Sequence, residues 1–329
     1  MQPIGTIERV LVYPRSGYSN RLQAMASATI LAKRLGADFR VCWETEEVVP
    51  DGPEMTFDPG YCAAVMVTAE HCRSEWGIVR EEMPRYLHSL PEQGLIVLAG
   101  HDRGEQVFMP QLRAALATAS PSTTLVVIAG GQFFLDSDAS PSVDWKAGFR
   151  RERHEYYSHT PLNPAIESTA RAELNERAPF IGLHLRYTDR AHQTPFDGEI
   201  REALQRASQE SGLHDVFVAT DNRATREKWS AIIAEIGMRP WSVDHGSWDR
   251  SVSGSGHAAL VDWRILTRAE RLVYFAESTF AEEAAVASRG YDSSFPLAAN
   301  ALRSTLVRAQ GFARNVVTYP RRRGWLGPP

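Results

Sequence analysis

The stretch from Phe180 to Asp189 reads Phe-Ile-Gly-Leu-His-Leu-Arg-Tyr-Thr-Asp. An apolar run suited to a buried strand ends there in His184, Arg186 and Asp189, with Arg190 next. In an open α/β sheet, ligands bind beyond the carboxyl ends of the strands. A guanidinium placed there offers a fork of donors to a phosphate, and a neighbouring carboxylate fixes its direction. The pattern predicts capture of a phosphorylated or nucleotide-bearing ligand; its alternative is a solvated strand end. Two later runs end in a similar way. Thr220, Asp221 and Asn222 follow Val216 to Ala219, and Glu277, Ser278 and Thr279 follow Leu272 to Phe275 and open a helix. A helix N-terminus presents free N–H groups and a positive dipole end, which makes the third a candidate phosphate cradle. Ser278, Thr279, Asp221 and Asn222 are equally able to cap their helices with no ligand present.

Asp262 sits in the mostly apolar Leu260-Val261-Asp262-Trp263-Arg264-Ile265-Leu266. A carboxylate accepts two hydrogen bonds from the N1 and N2 edge of guanine and has no such match on uracil or adenine. The alternative for Asp262 is a salt bridge to Arg264 or Arg268. Near the start, Ser16-Gly17-Tyr18-Ser19-Asn20-Arg21-Leu22 lies between a strand and a helix. Gly17 permits a tight turn and Asn20 is a good N-cap. Arg21 stands at the end of the helix that disfavours a cation, which points to an anionic partner across a cleft. The segment lacks the second glycine and lysine of a Walker loop, and it is not GxGxxG.

The elements that position these residues alternate. Arg9 to Tyr13 predicts a strand, Pro14 to Ser19 a turn, and Asn20 onward a helix. Leu22, Met25, Ala26, Ala28, Ile30, Leu31 and Leu35 recur in that helix at helical intervals until Gly36. Phe39 to Trp43 completes a β-α-β unit, the building block of parallel sheets. Leu95 to Leu98 and Leu125 to Ala129 are further strands. Thr45 to Gln93, rich in Pro, Gly and charge, predicts loops and short helices over a binding face. The pattern weakens between Asp136 and Pro164, which divides the chain into residues 1–155 and 156–329. Helices over Pro164 to Glu176, Glu199 to Ser211, Arg223 to Ile236 and Ala258 to Glu270 alternate with the three strands already named in the second half. The fold class is therefore α/β, with two doubly wound, Rossmann-type domains facing across a cleft that holds the site.

Composition excludes several classes. Apolar and charged fractions are those of a soluble globular protein. Cys42, Cys62 and Cys72 are too few and scattered for a disulfide framework. With His71 they fit no standard zinc spacing, so buried structural cysteines in a reducing compartment are expected. The N-terminus does not read as a signal peptide, and no apolar run approaches the roughly 18–20 residues of a membrane span; the expected location is cytoplasmic. Up to Glu155 there are 15 basic and 20 acidic residues, and beyond it 21 and 20. Neither half is a basic nucleic-acid binder. Arg321-Arg322-Arg323 reads as a solvated tail.

Gly17-Tyr18-Ser19-Asn20-Arg21-Leu22 resembles the Gly-x-x-Asn-Arg/Gln-Leu motif of the α1,6- and protein O-fucosyltransferase superfamily, which includes bacterial enzymes that fucosylate chitin oligosaccharides. His184-Leu185-Arg186-Tyr187-Thr188-Asp189 is similar to its His-x-Arg-x-Thr-Asp motif, and Val218-Ala219-Thr220-Asp221-Asn222 to its second. Asp262 through Ser278-Thr279-Phe280 is similar to its third. The resemblance implies a GT-B fold, with an acceptor-side N-terminal domain and a C-terminal domain for a GDP-sugar. The last ~25 residues would return to the first domain. It implies inverting transfer of fucose from GDP-fucose, with neither cofactor nor metal, to a glycan, lipid-linked or small-molecule acceptor. Arg186 would hold the β-phosphate and act in catalysis, Asp262 would read guanine, and Ser278 and Thr279 would bind phosphate. His184, Asp189, Arg190, Asp221, Asn222, Phe280, Gly17, Asn20 and Arg21 would complete the nucleotide-sugar pocket. The chain departs from the family at Tyr187, where the core α1,6 enzymes carry a second arginine. It departs also at Thr194, which replaces their proposed basic glutamate, and at Arg190, which replaces a lysine. Glu44, Asp102 and Asp197 are the candidate bases. The resemblance stops short of the membrane anchor and accessory domains of secretory-pathway enzymes, which implies a compact bacterial version. The alternatives are a transferase for another GDP- or NDP-hexose, and a catalytically silent nucleotide-binding protein of the same fold.

Overall fold

The computed structural model describes residues 7–76, 95–99, 105–119, 122–133, 145–175, 177, 179–186, 195–245, 252–288 and 290–298. Strand β1 (Ile7–Pro14) sends Val10 and Val12 to one face and Leu11 and Tyr13 to the other, and both pairs are buried. A strand buried on both faces suits a parallel sheet covered by helices on each side. Helix α1 (Tyr18–Leu35) follows and stops at Gly36, whose φ of 65° lies in the left-handed region that glycine adopts without a Cβ penalty. Strand β2 (Asp38–Cys42) returns parallel to β1. Three short helices, α2 (Pro53–Thr56), α3 (Pro59–Val65) and α4 (Ala69–Trp76), and the two-residue strand β3 (Met66–Val67) come next. Strand β4 (Leu95–Ala99), α5 (Glu105–Thr118) and β5 (Thr123–Ala129) complete a parallel sheet ordered β3-β2-β1-β5-β4. Cys42 and Cys72 are buried as expected, whereas Cys62 is half-buried, and all three are free.

Helix α6 (Trp145–His159) occupies part of the stretch whose pattern weakens in the sequence. Its buried positions Phe149, Arg153, Tyr156 and Tyr157 keep helical spacing, but an arginine stands in the apolar stripe and hides the period. Residue 155 falls inside this helix, which packs against α1. After α7 (Pro164–Leu174), β6 (Ile181–Leu185), α8 (Asp197–Ser211), β7 (Asp215–Thr220), α9 (Arg223–Glu235) and β8 (Arg239–Trp241) alternate. Then come α10 (Ser255–Leu266), β9 (Arg271–Phe275), α11 (Thr279–Ala287) and β10 (Phe295–Leu297). The second sheet is also parallel, ordered β10-β9-β6-β7-β8.

Ile181, Leu183, Val216 and Val218 pack on α8 and α9 through Leu204, Trp229 and Ile233. The opposite face, with Phe180, Phe217, Leu272 and Tyr274, packs on α10 and α11. That second face and the α1 side of the first sheet belong to one continuous apolar cluster. Gly182 lets α10 lie close to β6, because a Cβ there would meet Leu266 Cδ2 at 2.9 Å. No helix among the described residues is long and apolar enough to cross a membrane.

Candidate active site

Chain order determines where each sheet can open. In the second sheet, β6, β7 and β8 step outward one way and β9 and β10 the other, so the winding reverses between β6 and β9. The first sheet reverses between β1 and β5. Ligands bind beyond the carboxyl ends of strands at such reversals. The two reversals meet: the hydroxyls of Ser19, in the first turn of α1, and Thr279, in the first turn of α11, lie 3.2 Å apart.

At the β6–β9 reversal, His184 is buried and stacks on Phe280, with ring centroids 5.0 Å apart and planes at 27°. Its Nδ1 lies 3.5 Å from the Ser278 hydroxyl. Ser278 occupies the N-cap position of α11, yet its side chain makes no capping bond. The ordinary-cap alternative is therefore not realised at Ser278, and the N–H groups of the first turn have no side-chain acceptor there. Arg186, half-buried, is the first residue past β6. At the end of β7 the two neighbours differ. Asn222 is a true cap, its Oδ1 accepting the Thr225 N–H at 2.9 Å. Asp221 is half-buried beside it, and Thr220 Oγ1 is buried with no hydrogen-bond partner among the described residues.

Asp262, on α10, is 8% exposed. Its partner is neither Arg264 nor Arg268: Arg264 pairs with Glu167, and Asp262 Oδ1 lies 2.8 Å from His245 Nε2. Burial raises the Asp262 pKa, opposed by the His245 hydrogen bond and by the charges of His245 and Arg226. Burial by itself would lower the His245 pKa, but the hydrogen bond and charge of Asp262 outweigh it and the value is raised. His245 lies just past the carboxyl end of β8, so four strand ends, not three, contribute to this face. It went unread in the sequence because β8 is three residues long and contains Pro240. Such a strand is tolerated at a sheet edge and lacks a strand's usual periodicity.

The first half needs three corrections. The left-handed residue of the β1–α1 turn is Ser16, with φ 68°, and not Gly17, which is extended at φ −66°. Gly17 is the N-cap, so Asn20 lies inside the first turn instead of capping it. Its Oδ1 is buried with no hydrogen-bond partner among the described residues. Arg21 is fully buried, and an acid of its own half stands beside it. Its Nε donates to Ser16 O at 2.9 Å and its Nη1 to Glu44 O at 2.6 Å; the guanidinium lies 4.7 Å from the Trp43 ring centroid and 3.4 Å from the Glu46 carboxylate. Carbonyl oxygens and a local acid thus offset the unfavourable helix end.

Two buried carboxylates missed in the sequence tie the halves together. Asp51 accepts from Tyr18 Oη at 2.8 Å, Gly254 N at 2.7 Å, Gly256 N at 2.9 Å and Ser253 Oγ at 3.3 Å. It holds the start of α10 against the first half. A Pro-Asp-Gly triplet reads as a turn, and nothing local announces the distant partners. Glu283, on α11, accepts from Gln23 Nε2 at 2.7 Å and also from Arg153 and Tyr157 of α6. Of the candidate bases, Asp197 is bound to Lys228 at 2.5 Å on the surface, and Glu44 lies just past β2. Asp102, Tyr187, Asp189, Arg190 and Thr194 lie outside the described residues, as does the stretch after 298 expected to return to the first domain. Among the described residues no group of three His, Cys, Asp or Glu side chains is arranged to hold a metal ion.

The class that this fold defines emerges from solved structures. A point mutant of Arabidopsis thaliana FUT1 in complex with GDP matches 87% of this chain and 70% of its own, at a TM-score of 0.58 and 16% identity. Fucosyltransferase NodZ from Bradyrhizobium matches 86% of this chain and 93% of its own, at 0.54 and 16%. NodZ α1,6-fucosyltransferase soaked with GDP-fucose covers the same shares at 0.53 and 18%. The chain therefore has the α/β fold seen in these fucosyltransferases, and at such identities the likeness is one of fold. No protein-family model matches the sequence, and no curated protein matches it.

Proposed function

We propose that the protein is an inverting, metal-independent glycosyltransferase that moves fucose from GDP-fucose to a glycan, lipid-linked or small-molecule acceptor. The observation that carries the reading is the β6–β9 reversal, where Arg186 follows β6 and the paired strand β9 leads into a helix whose N-cap serine makes no capping bond. That combination suits a diphosphate, and Asp262 on α10 suits guanine. The GT-B-like arrangement is part of the proposal: residues 1–155 on the acceptor side and 156–329 on the donor side, with Ser19 and Thr279 at their junction.

In the reaction, an acceptor hydroxyl oxygen forms a bond to the anomeric carbon of fucose from the face opposite the diphosphate. The bond from that carbon to the β-phosphate oxygen breaks, and GDP departs with the electron pair. The acceptor proton passes to solvent or to the departing phosphate, which suffices where the transition state is loose and oxocarbenium-like. Arg186 and the first-turn N–H groups of α11 meet the charge that grows on the leaving oxygen, often the largest catalytic contribution. His184 and Phe280 form the wall beside it. Asp189 and Arg190, three and four residues beyond Arg186, belong to the same proposed pocket, as do Asp221 and Thr279.

The test is turnover of a panel of intact sugar nucleotides, read as released nucleoside diphosphate with and without acceptor saccharides. Turnover of GDP-fucose is expected, unchanged by EDTA. Arg186→Ala is expected to lower kcat by about 10²–10³ while the fold is kept. Turnover confined to UDP- or ADP-sugars, or wild-type rates in Arg186→Ala, would contradict the proposal.

A further inference from the structure

We infer that His245 is a specificity-determining positioning residue: by holding Asp262 Oδ1 at 2.8 Å, it aims the carboxylate so that both oxygens meet the two-donor edge of guanine. The inference rests on the GDP-sugar reading of the site and deepens it. An ionised carboxylate only accepts hydrogen bonds, so the His245 Nε2 carries the hydrogen. That contact fills one of about four lone-pair positions on the carboxylate. Among the described residues, His245 is the hydrogen-bond donor that Asp262 has. A buried carboxylate with one donor is expensive for the fold and leaves most of its acceptor capacity unused. A ligand edge with two parallel N–H donors would use that capacity.

The geometry makes the histidine more than a charge partner. Guanine recognition needs the carboxylate plane to coincide with the base plane, and a carboxylate on a helix otherwise turns about its last torsion. An imidazole N–H fixed to one oxygen removes that freedom. His245 lies among titratable neighbours: Arg226 on α9, its neighbour Asp244, Asp262, and His257 on α10, whose pKa burial lowers. Arg226 is anchored in turn, its Nη1 donating to Val243 O at 3.2 Å and lying 3.8 Å from Asp244 Oδ1. The loop after β8 and the helix α10 thus present one oriented acceptor.

The test compares GDP with inosine diphosphate, which lacks the N2 amine, by calorimetry on the full chain. Wild type is expected to prefer GDP by roughly ten- to a hundredfold, the range for one hydrogen bond to a charged group. His245→Ala should weaken GDP and bring the ratio towards unity. Adding it to Asp262→Ala should weaken GDP no further. His245→Gln places an amide N–H within reach of the carboxylate and should restore the preference, whereas the shorter His245→Asn should not. If the alanine variant fails to fold, the Gln and Asn pair decides. If wild type binds GDP selectively and Asp262→Ala abolishes this, but the preference survives in His245→Ala or His245→Asn, the inference is overturned while the site reading stands. If wild type itself does not select GDP over UDP and ADP, the site reading fails instead.

Discussion

At the residue scale, the pair of half-buried His245 and buried Asp262 makes two predictions apart from catalysis. Asparagine at 262 replaces one acceptor by an amide donor. Xanthine presents one donor and one acceptor where guanine presents two donors. Asp262→Asn should therefore lose affinity for GDP and gain it for xanthosine diphosphate, reversing their order in a competition assay; an unchanged order would place the base elsewhere. The second prediction concerns pH. Burial alone would lower the His245 pKa, but the Asp262 contact outweighs it and the value is raised. Its stabilisation is then fully present below the unfolded value of about 6.5 and is lost as pH rises through the folded value. The burial-raised pKa of Asp262 acts in the same direction at lower pH. In urea melts, wild type should exceed His245→Gln in stability by more at about pH 5.5 than at about pH 8.5. A pH-independent gap would contradict the pairing.

At the scale of elements, the helix α10 is the part that long-range contacts position. Asp51 grips its first turn, and a Cβ on Gly256 would collide with the Tyr18 hydroxyl and approach Asp51 Oδ2 at 2.5 Å. Gly256→Ala should destabilise the protein by about 1–3 kcal/mol, as overpacking does. Asp51→Ala should remove about as much or more, because buried N–H groups lose their acceptor. Both should weaken GDP binding through Asp262; denaturant midpoints equal to wild type in both variants would contradict this. Much of the element layout was legible beforehand. Strands β1, β2, β6, β7 and β9 and helices α1, α7, α8, α9, α10 and α11 stand in the sequence as apolar runs and helical periods. What escaped has a physical reason in each case. Arg153 interrupts the apolar stripe of α6, and Pro240 sits in the short edge strand β8. The β1–α1 turn was misread because Gly and Asn are the usual turn and cap residues, whereas Ser16 takes the left-handed conformation and Gly17 the cap. Asp51 and Glu283 act through partners far away in sequence, which no local pattern records.

At the scale of the whole molecule, one apolar cluster joins the α1 side of the first sheet to the α10 and α11 side of the second. Glu283, with Gln23, Arg153 and Tyr157, lies buried within that join. Glu283→Ala leaves Arg153 buried without its acid and should lower stability by about 3–5 kcal/mol, the range for breaking a buried pair. A change below the error of a urea titration would show that the join is not held there. The join matters for function because it brings both reversal points together at Ser19 and Thr279, so that donor and acceptor would meet between the sheets. The central claim is that this meeting point holds a guanine nucleotide. The most direct measurement is calorimetric binding of GDP, ADP, UDP and dTDP to wild type and to Asp262→Ala. The account predicts selective GDP binding that Asp262→Ala weakens; equal binding of all four, or a preference for UDP or ADP, would contradict it.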